Sequence, residues 1–504
     1  MLNILFFFAA ILLLIYVKLK YFKSRLESML LNVPGPDYNV FVGNLMRFRG
    51  GREEVYRTLC SICDEFRDSP IVRIWLGKNV RLYLTKAESA EVIASDSSHN
   101  IKGYAYRWTS PWFRDGLILS TGNKWFQRRR MLTPSFHFQI LEQFRVIMNE
   151  HTVTLTKLLG ENKDNYCDVY PYATRASLDI ICETAMGVKL GCQGEKSHYY
   201  LAAVSGITEC VAKRLYSVFL QNDFLYQYSE TGQRQKEILK VLHNFTTKVI
   251  KERKAQYKER KSAGTEEAEN EFGQKRRLAF MDMLLECQDK DNSIDDFGIQ
   301  EEVDMFMFAG HDTTSSGISW TLYNIARFPE IQQKIHDELD IVLGSEPVDD
   351  ISSESLKDLR YLECVIKESL RLFPPVPFFS RMLQKDTVIC GYTVPASTNV
   401  TFLVQQIHTD PKHWPDPHTF DPDRFLPHNA AHRHPYAFIP FSAGSRNCIG
   451  QRFAMMELKT VMAHVLHRYT LKTETKLETV KKLGEFVLRP SGGLWLQFKS
   501  RATN

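Results

Sequence analysis

Ten residues near the C-terminus constrain this chain more than any other passage: Phe441-Ser442-Ala443-Gly444-Ser445-Arg446-Asn447-Cys448-Ile449-Gly450. Pro440 and the glycines exclude regular structure ahead of Cys448 and let the backbone approach a neighbour closely. From Gln451 to Arg468, apolar residues recur at helical spacing: Phe453, Met456, Leu458, Val461 and Val465. Cys448 therefore stands just ahead of a helix N-terminus. Backbone N–H groups and the helix dipole favour a thiolate there, and Arg446 adds positive charge. Such a thiolate can serve as nucleophile, metal ligand or redox thiol. A nucleophile wants a general base, and the passage holds no histidine; a structural zinc wants four ligands, and no second cysteine stands beside this one. A single thiolate next to an arginine suits an axial haem ligand, the arginine pairing a propionate. A structural cysteine in a tight loop is the plain alternative, and the full F-x-x-G-x-R-x-C-x-G string argues against it.

That string resembles the haem-binding signature of the cytochrome P-450 superfamily at every fixed position. The resemblance implies haem b, with Cys448 as the axial ligand and Phe441 and Arg446 at the cofactor.

The remaining motifs follow in the family's order from residue 34 to residue 500. Ile299 to Arg327 carries a helical apolar stripe that is interrupted by Ala309-Gly310-His311-Asp312-Thr313-Thr314-Ser315-Ser316-Gly317, a cluster of poor helix formers. Locally unfavourable runs inside strong helices are expected at functional sites. Gly310 and Thr313 share one face, so a small gap lies beside a hydroxyl, and that hydroxyl can bond back to a carbonyl one turn earlier and open the helix. The bland reading is a close helix crossing lined by small residues. The run resembles the family's A-G-x-D-T-T oxygen-activating motif, which gives Thr313 the activated oxygen, Asp312 a proton relay, and Ala309 and Gly310 a place against the haem.

Glu368 and Arg371, followed by Leu372-Phe373-Pro374-Pro375, and Pro422-Asp423-Arg424-Phe425 resemble the family's buried E-x-x-R and P-E-R-F charge network, with Asp423 in place of the usual glutamate. Trp125 and Arg129 have the W-x-x-x-R spacing that the resemblance places on haem propionates; a basic surface helix is the alternative, since Arg128, Arg129 and Arg130 run together. Arg381 resembles a further propionate-binding arginine. Cys60-Ser61-Ile62-Cys63 has no partner pair and reads as helix packing. His428, His432 and His434 read as a solvated loop.

Hydrophobic residues make up 44% and charged residues 24% of 504, which excludes a disordered or fibrous chain, and a net charge of +5 is too weak for a nucleic-acid binder. Ten cysteines without a pattern fit a reducing compartment. Leu2 to Val17 is apolar except for Asn3 and is followed by Lys18, Lys20, Lys23 and Arg25. As a helix it spans roughly 24 Å, enough for a thin bilayer with snorkelling lysines. It lacks the basic n-region and cleavage site of a secretory signal, and charges after the segment keep the rest of the chain cytosolic, where the Asn244-Phe245-Thr246 sequon is unused. Pro34-Gly35-Pro36 separates this anchor from the body. The expected layout is an anchor at residues 1–25 and one catalytic domain at 26–504. Lys251 to Arg277 reads as a helix end, a loop around Ser262-Ala263-Gly264 and a second charged segment. Gly391 to Pro395 reads as a strand, and Val487 to Phe498, broken by Ser491-Gly492-Gly493, as strands with a hairpin. The class is mainly α with a small β-rich part, the fold that the P-450 resemblance implies.

Glu302 to Thr314 and Trp125 to Phe138 resemble family 4 of the superfamily, the fatty-acid ω-hydroxylases, in an insect-like form. Many members carry a haem-esterifying glutamate where this chain has Ala309, so non-covalent haem is expected here. The implied activity is insertion of one oxygen atom from O2 into a C–H bond of a lipophilic substrate: a fatty acid, a related lipid, a xenobiotic or a hormone. Electrons come from NADPH through NADPH–cytochrome P-450 reductase, with cytochrome b5 as a further partner, at the endoplasmic reticulum membrane with the catalytic domain on its cytosolic face. Phe113, Phe306, Ala309, Pro377 and Phe378 are pocket candidates. An isomerase or dehydratase that needs no reductase, and a silent haem-binding membrane protein, are the rival readings.

Overall fold

The computed structural model describes residues 13, 16–17, 25–39, 41–77, 79–162, 165–194, 198–217, 219–263, 279–346 and 348–501. Most of the expected anchor, and the charged segment beyond Ala263, lie outside these. Among the described residues no helix is long and apolar enough to cross a membrane.

The body is predominantly helical. In chain order come α1 (Arg52–Glu65), the hairpin strands β1 (Ile71–Leu76) and β2 (Asn79–Leu84), α2 (Ala87–Ala94), α3 (Gly122–Leu132), α4 (Phe138–Gly160), the short strand β3 (Cys167–Asp168), α5 (Val169–Ile181), α6 (His198–Tyr216), α7 (Glu230–Ser262), α8 (Asp296–Arg327) and α9 (Arg360–Leu372). Then follow β4 (Phe378–Met382), β5 (Thr387–Ile389), β6 (Tyr392–Val394), β7 (Asn399–Leu403), α10 (Gln451–Arg468), β8 (Tyr469–Lys472), β9 (Lys481–Gly484), β10 (Leu488–Ser491) and β11 (Trp495–Ser500). One four-stranded sheet runs β1-β2-β7-β4, with β2 and β7 parallel. β5 and β6 form a hairpin whose turn residues Cys390 and Gly391 both take positive φ (46° and 91°), the primed geometry that matches strand twist.

The C-terminal strands correct one expectation. Gly492 and Gly493 take positive φ as a turn requires, yet the strands they join do not pair: β10 pairs with β9, while β11 pairs with β3 and β8.

α8 is the axis of the molecule. Asp295 caps it by accepting from the Gly298 N–H at 2.7 Å. From Glu301 to Ala326 every residue is buried except Ala309, Gly310 and Thr313. A helix buried around its whole circumference belongs to the core of a large domain, so the three exceptions mark a void inside it. α5 crosses α8 closely: a Cβ on Gly310 would lie 2.5 Å from Ile181, and one on Gly317 would lie 3.1 Å from Leu458 of α10. The small-residue run therefore serves helix packing at these points.

Candidate active site

The void beside α8 is a cavity with about 280 Å³ open to the centre of a water molecule, walled by α3, α8, α10 and the loop before α10. Trp125, Arg129, Ala309, Gly310, Thr313, Phe441, Arg446 and Cys448 all line it. Phe113 and Phe306 also line it; Pro377 does not, and Phe378 faces a neighbouring pocket.

The Cys448 loop is built by strain and close approach. Ser442 and Gly444 take positive φ (60° and 71°), and a Cβ on Gly444 would lie 1.8 Å from the Ala94 carbonyl oxygen at the end of α2. Only glycine fits there. The Cys448 N–H donates to the Phe441 carbonyl at 2.8 Å, which closes the loop. Cys448 has accessible surface, and it lines the cavity. Burial pushes its thiol up; the Gly450 N–H and the Arg129 charge pull the other way. The other paired thiols are core residues: burial pushes Cys60 up to about 12 and raises Cys63 as well.

The cavity rim collects positive charge without acid. Helical phase sorts the arginine run of α3: Arg128 turns towards Glu302 (3.8 Å), and Arg129, one turn after Trp125, donates to the carbonyl and side-chain oxygens of Asn447, both at 2.8 Å. Arg446 lies over the Trp125 ring at 4.3 Å and donates to the carbonyls of Asn100, Leu117 and Ser120. Arg381 is not on the cavity surface; it sits just behind it, 3% exposed, donating to its own neighbour's carbonyl. Lys102, for which no sequence motif gave a signal, joins them on the wall. Burial, then Arg381 and Arg129, lower Arg446 to about 9; burial lowers Arg381 to about 10; burial, then Arg381 and Arg446, lower Lys102. Among the described residues no carboxylate lies within 4 Å of any of the four. Arg381 and Arg446 are buried and Lys102 and Arg129 half-buried, and cations so placed demand anions from outside the chain. A group with two carboxylates on one edge and a metal that takes a thiolate fits that demand.

On α8, Thr313 Oγ1 donates to the Ala309 carbonyl at 2.7 Å, the back-bond its position predicts. The helix stays α-helical through it, so the expected opening does not occur. Asp312 points away from the cavity. Its Oδ2 accepts from Arg489 Nη2 at 2.6 Å, while Arg489 Nη1 donates to Thr208 at 2.9 Å. Below the cavity Glu457 of α10 accepts from Ser177 at 2.8 Å and has no cation paired to it among the described residues, and burial pushes it up to about 8.

Behind the site Arg371 donates from Nε and Nη2 to the two oxygens of Glu368, both at 2.7 Å, and also to the carbonyls of His408, Pro417 and Thr419. Arg424 stands 3.7 Å from the same carboxylate.

A chain that folds around a thiol and a ring of unanswered cations is built for a thiolate-ligated prosthetic group, and the comparison with known families agrees: it belongs to the cytochrome P450 family, whose model matches residues 33–496. Within it the chain is similar to Cytochrome P450 4V2 of Homo sapiens, 41% identical over 91% of this chain and 88% of that protein. It is likewise similar to Cytochrome P450 4c3 of Drosophila melanogaster (38% identical, 95% and 91% covered) and to Cytochrome P450 4d2 of the same organism (37%, 93% and 94%). The protein is thus a family 4 member, a monooxygenase that carries haem on a cysteine thiolate.

Proposed function

We propose that Cys448 is the thiolate ligand, that haem b lies non-covalently in the cavity beside α8, and that the protein hydroxylates a lipophilic substrate of the fatty-acid class with electrons from NADPH. The electron carrier is NADPH–cytochrome P-450 reductase, with cytochrome b5 as a second donor. Residues 1–25 hold residues 26–504, one catalytic domain, on the cytosolic face of the endoplasmic reticulum membrane. The observation that carries the site assignment is the set of Lys102 and Arg129, half-buried, and Arg381 and Arg446, buried, with no carboxylate within 4 Å among the described residues, around a cavity that ends on the Cys448 sulfur.

When bound, the haem supplies O2 activation and oxygen insertion; substrate, O2, NADPH and a proton give alcohol, water and NADP⁺. The chain's own residues bind, orient and move protons. Lys102, Arg129 and Arg446 answer the propionate charge with Arg381 behind them, and Trp125 stacks under Arg446. Ala309 offers no carboxylate for an ester bond. Thr313 presents a hydroxyl to the cavity, anchored to a carbonyl and free to re-aim. Asp312 delivers protons to it only when its pair with Arg489 opens.

The test is reconstitution with reductase, NADPH and a panel of lipids. Cys448→Ala abolishes the thiolate signature of the ferrous–CO spectrum. Thr313→Ala keeps haem and NADPH oxidation but lowers product per NADPH severalfold. Turnover without any electron donor would make the protein an isomerase or dehydratase instead, and haem without NADPH oxidation for every lipid would make it a silent haem protein.

A further inference from the structure

A second pocket adjoins the cavity, and it holds the feature that the monooxygenase reading leaves unused. β2 runs Asn79-Val80-Arg81-Leu82-Tyr83-Leu84. Strand alternation sends Val80, Leu82 and Leu84 to one face and Arg81 and Tyr83 to the other. That second face looks into the pocket, together with Asn399 and Thr401, their register partners on the parallel strand β7. The rest of the lining is mostly apolar, including Leu59, Val211, Leu215 and Phe378.

Arg81 is 8% exposed, yet among the described residues no carboxylate lies within 4 Å of its guanidinium. Glu485, the acid in this lining, is paired with Arg52 and not with Arg81: Arg52 holds its Oε1 from Nη2 at 2.6 Å and from Nε at 2.7 Å, while its Oε2 is buried without a hydrogen-bond partner. A buried guanidinium in an apolar pocket, with no acid paired to it, is an anion receptor with a bidentate fork. Tyr106, Phe379 and Phe486 line this pocket and the Cys448 cavity alike, so the two spaces meet at these rings.

We propose that Arg81 binds the carboxylate of an anionic amphiphile whose alkyl chain passes the rings of Tyr106, Phe379 and Phe486 into the cavity. Oxidation is thereby directed to the end of the chain far from the head group. This inference rests on the lipid reading above and supplies its specificity residue. Arg81 acts by binding and orienting and takes no part in the chemistry.

Haem-loaded, full-length protein is titrated with lauric acid and with methyl laurate, following the substrate-induced shift of the Soret band, and product position is read by mass spectrometry. Arg81→Gln weakens lauric acid at least tenfold relative to methyl laurate and spreads hydroxylation inward from the chain end; Arg81→Lys restores part of both. An unchanged ferrous–CO spectrum shows that each variant is folded. Equal acid-to-ester ratios in wild type and Arg81→Gln overturn the anchor and leave the lipid reading standing. Absence of any shift with either compound in the wild type removes the lipid reading and the anchor together.

Discussion

Arg371 and Arg446 are both buried arginines within the haem-side half of the molecule, and the chain answers them in opposite ways. Arg371 has no exposed surface, a bidentate carboxylate partner and three carbonyl acceptors. Arg446 has three carbonyls and a tryptophan face, and its nearest charged influences are two more arginines. Carbonyls satisfy donors but do not cancel a charge. The first arrangement is complete as folded and therefore scaffolds. The second is complete only with a bound anion and therefore marks a site.

The largest effect expected from this contrast is Arg371→Ala. It strands a buried carboxylate and should cost on the order of 3–5 kcal/mol of stability, read as a loss of soluble holoprotein and a shifted denaturation midpoint. A cost under about 1 kcal/mol, the range of exposed ion pairs, would erase the distinction.

Glu457 sharpens the contrast from the acid side. It is buried with no cation, and burial raises it from 4.5 to about 8. Between those values the folded protein holds a proton that the unfolded chain has released. Stability therefore falls as pH rises through this window, by about 1.4 kcal/mol per unit at most. Glu457→Gln removes that slope in denaturation series at pH 5, 6, 7 and 8; an unchanged slope would mean that the acid is ionised in the fold.

Arg446→Met is the smallest in stability and the most telling in function. Relief of an uncancelled buried charge offsets lost hydrogen bonds, so apoprotein stability should change by no more than about 1.5 kcal/mol. Haem retention against apomyoglobin should nevertheless drop roughly tenfold, the worth of about 1.4 kcal/mol in binding. A large apoprotein loss with intact haem retention would reverse the roles assigned to the two arginines.

What could be read in advance followed chemistry that is local in sequence. The loop before Cys448, the long helix around Ala309 to Gly317 and the Glu368–Arg371 pair each declare themselves within a dozen residues, because strain, poor helix formers and one-turn spacing are local properties. Trp125 and Arg129 were likewise legible as an i, i+4 pair, and the rotation of Arg128 towards Glu302 follows from the same helical phase. Lys102 was not legible: an isolated bridge to Arg381 brings its segment to the wall, and nothing beside it in sequence signals that. The Asp312–Arg489 pair joins residues 177 apart, and nothing beside either residue in sequence signals it. The Ser491-Gly492-Gly493 turn misled because turn chemistry is local while the choice of sheet partner is tertiary.

Gly444 sits where the ligand loop touches the tail of a surface helix, with room for a hydrogen and not for a methyl group. The sulfur that faces the cavity is thus levelled, like a tripod leg, against Ala94 on the far side of the loop. Any side chain introduced at 444 would lift that leg and tilt the sulfur, even though Gly444 does not itself line the cavity. A screen for altered iron electronics would do well to begin at this unreactive hinge as well as at the sulfur.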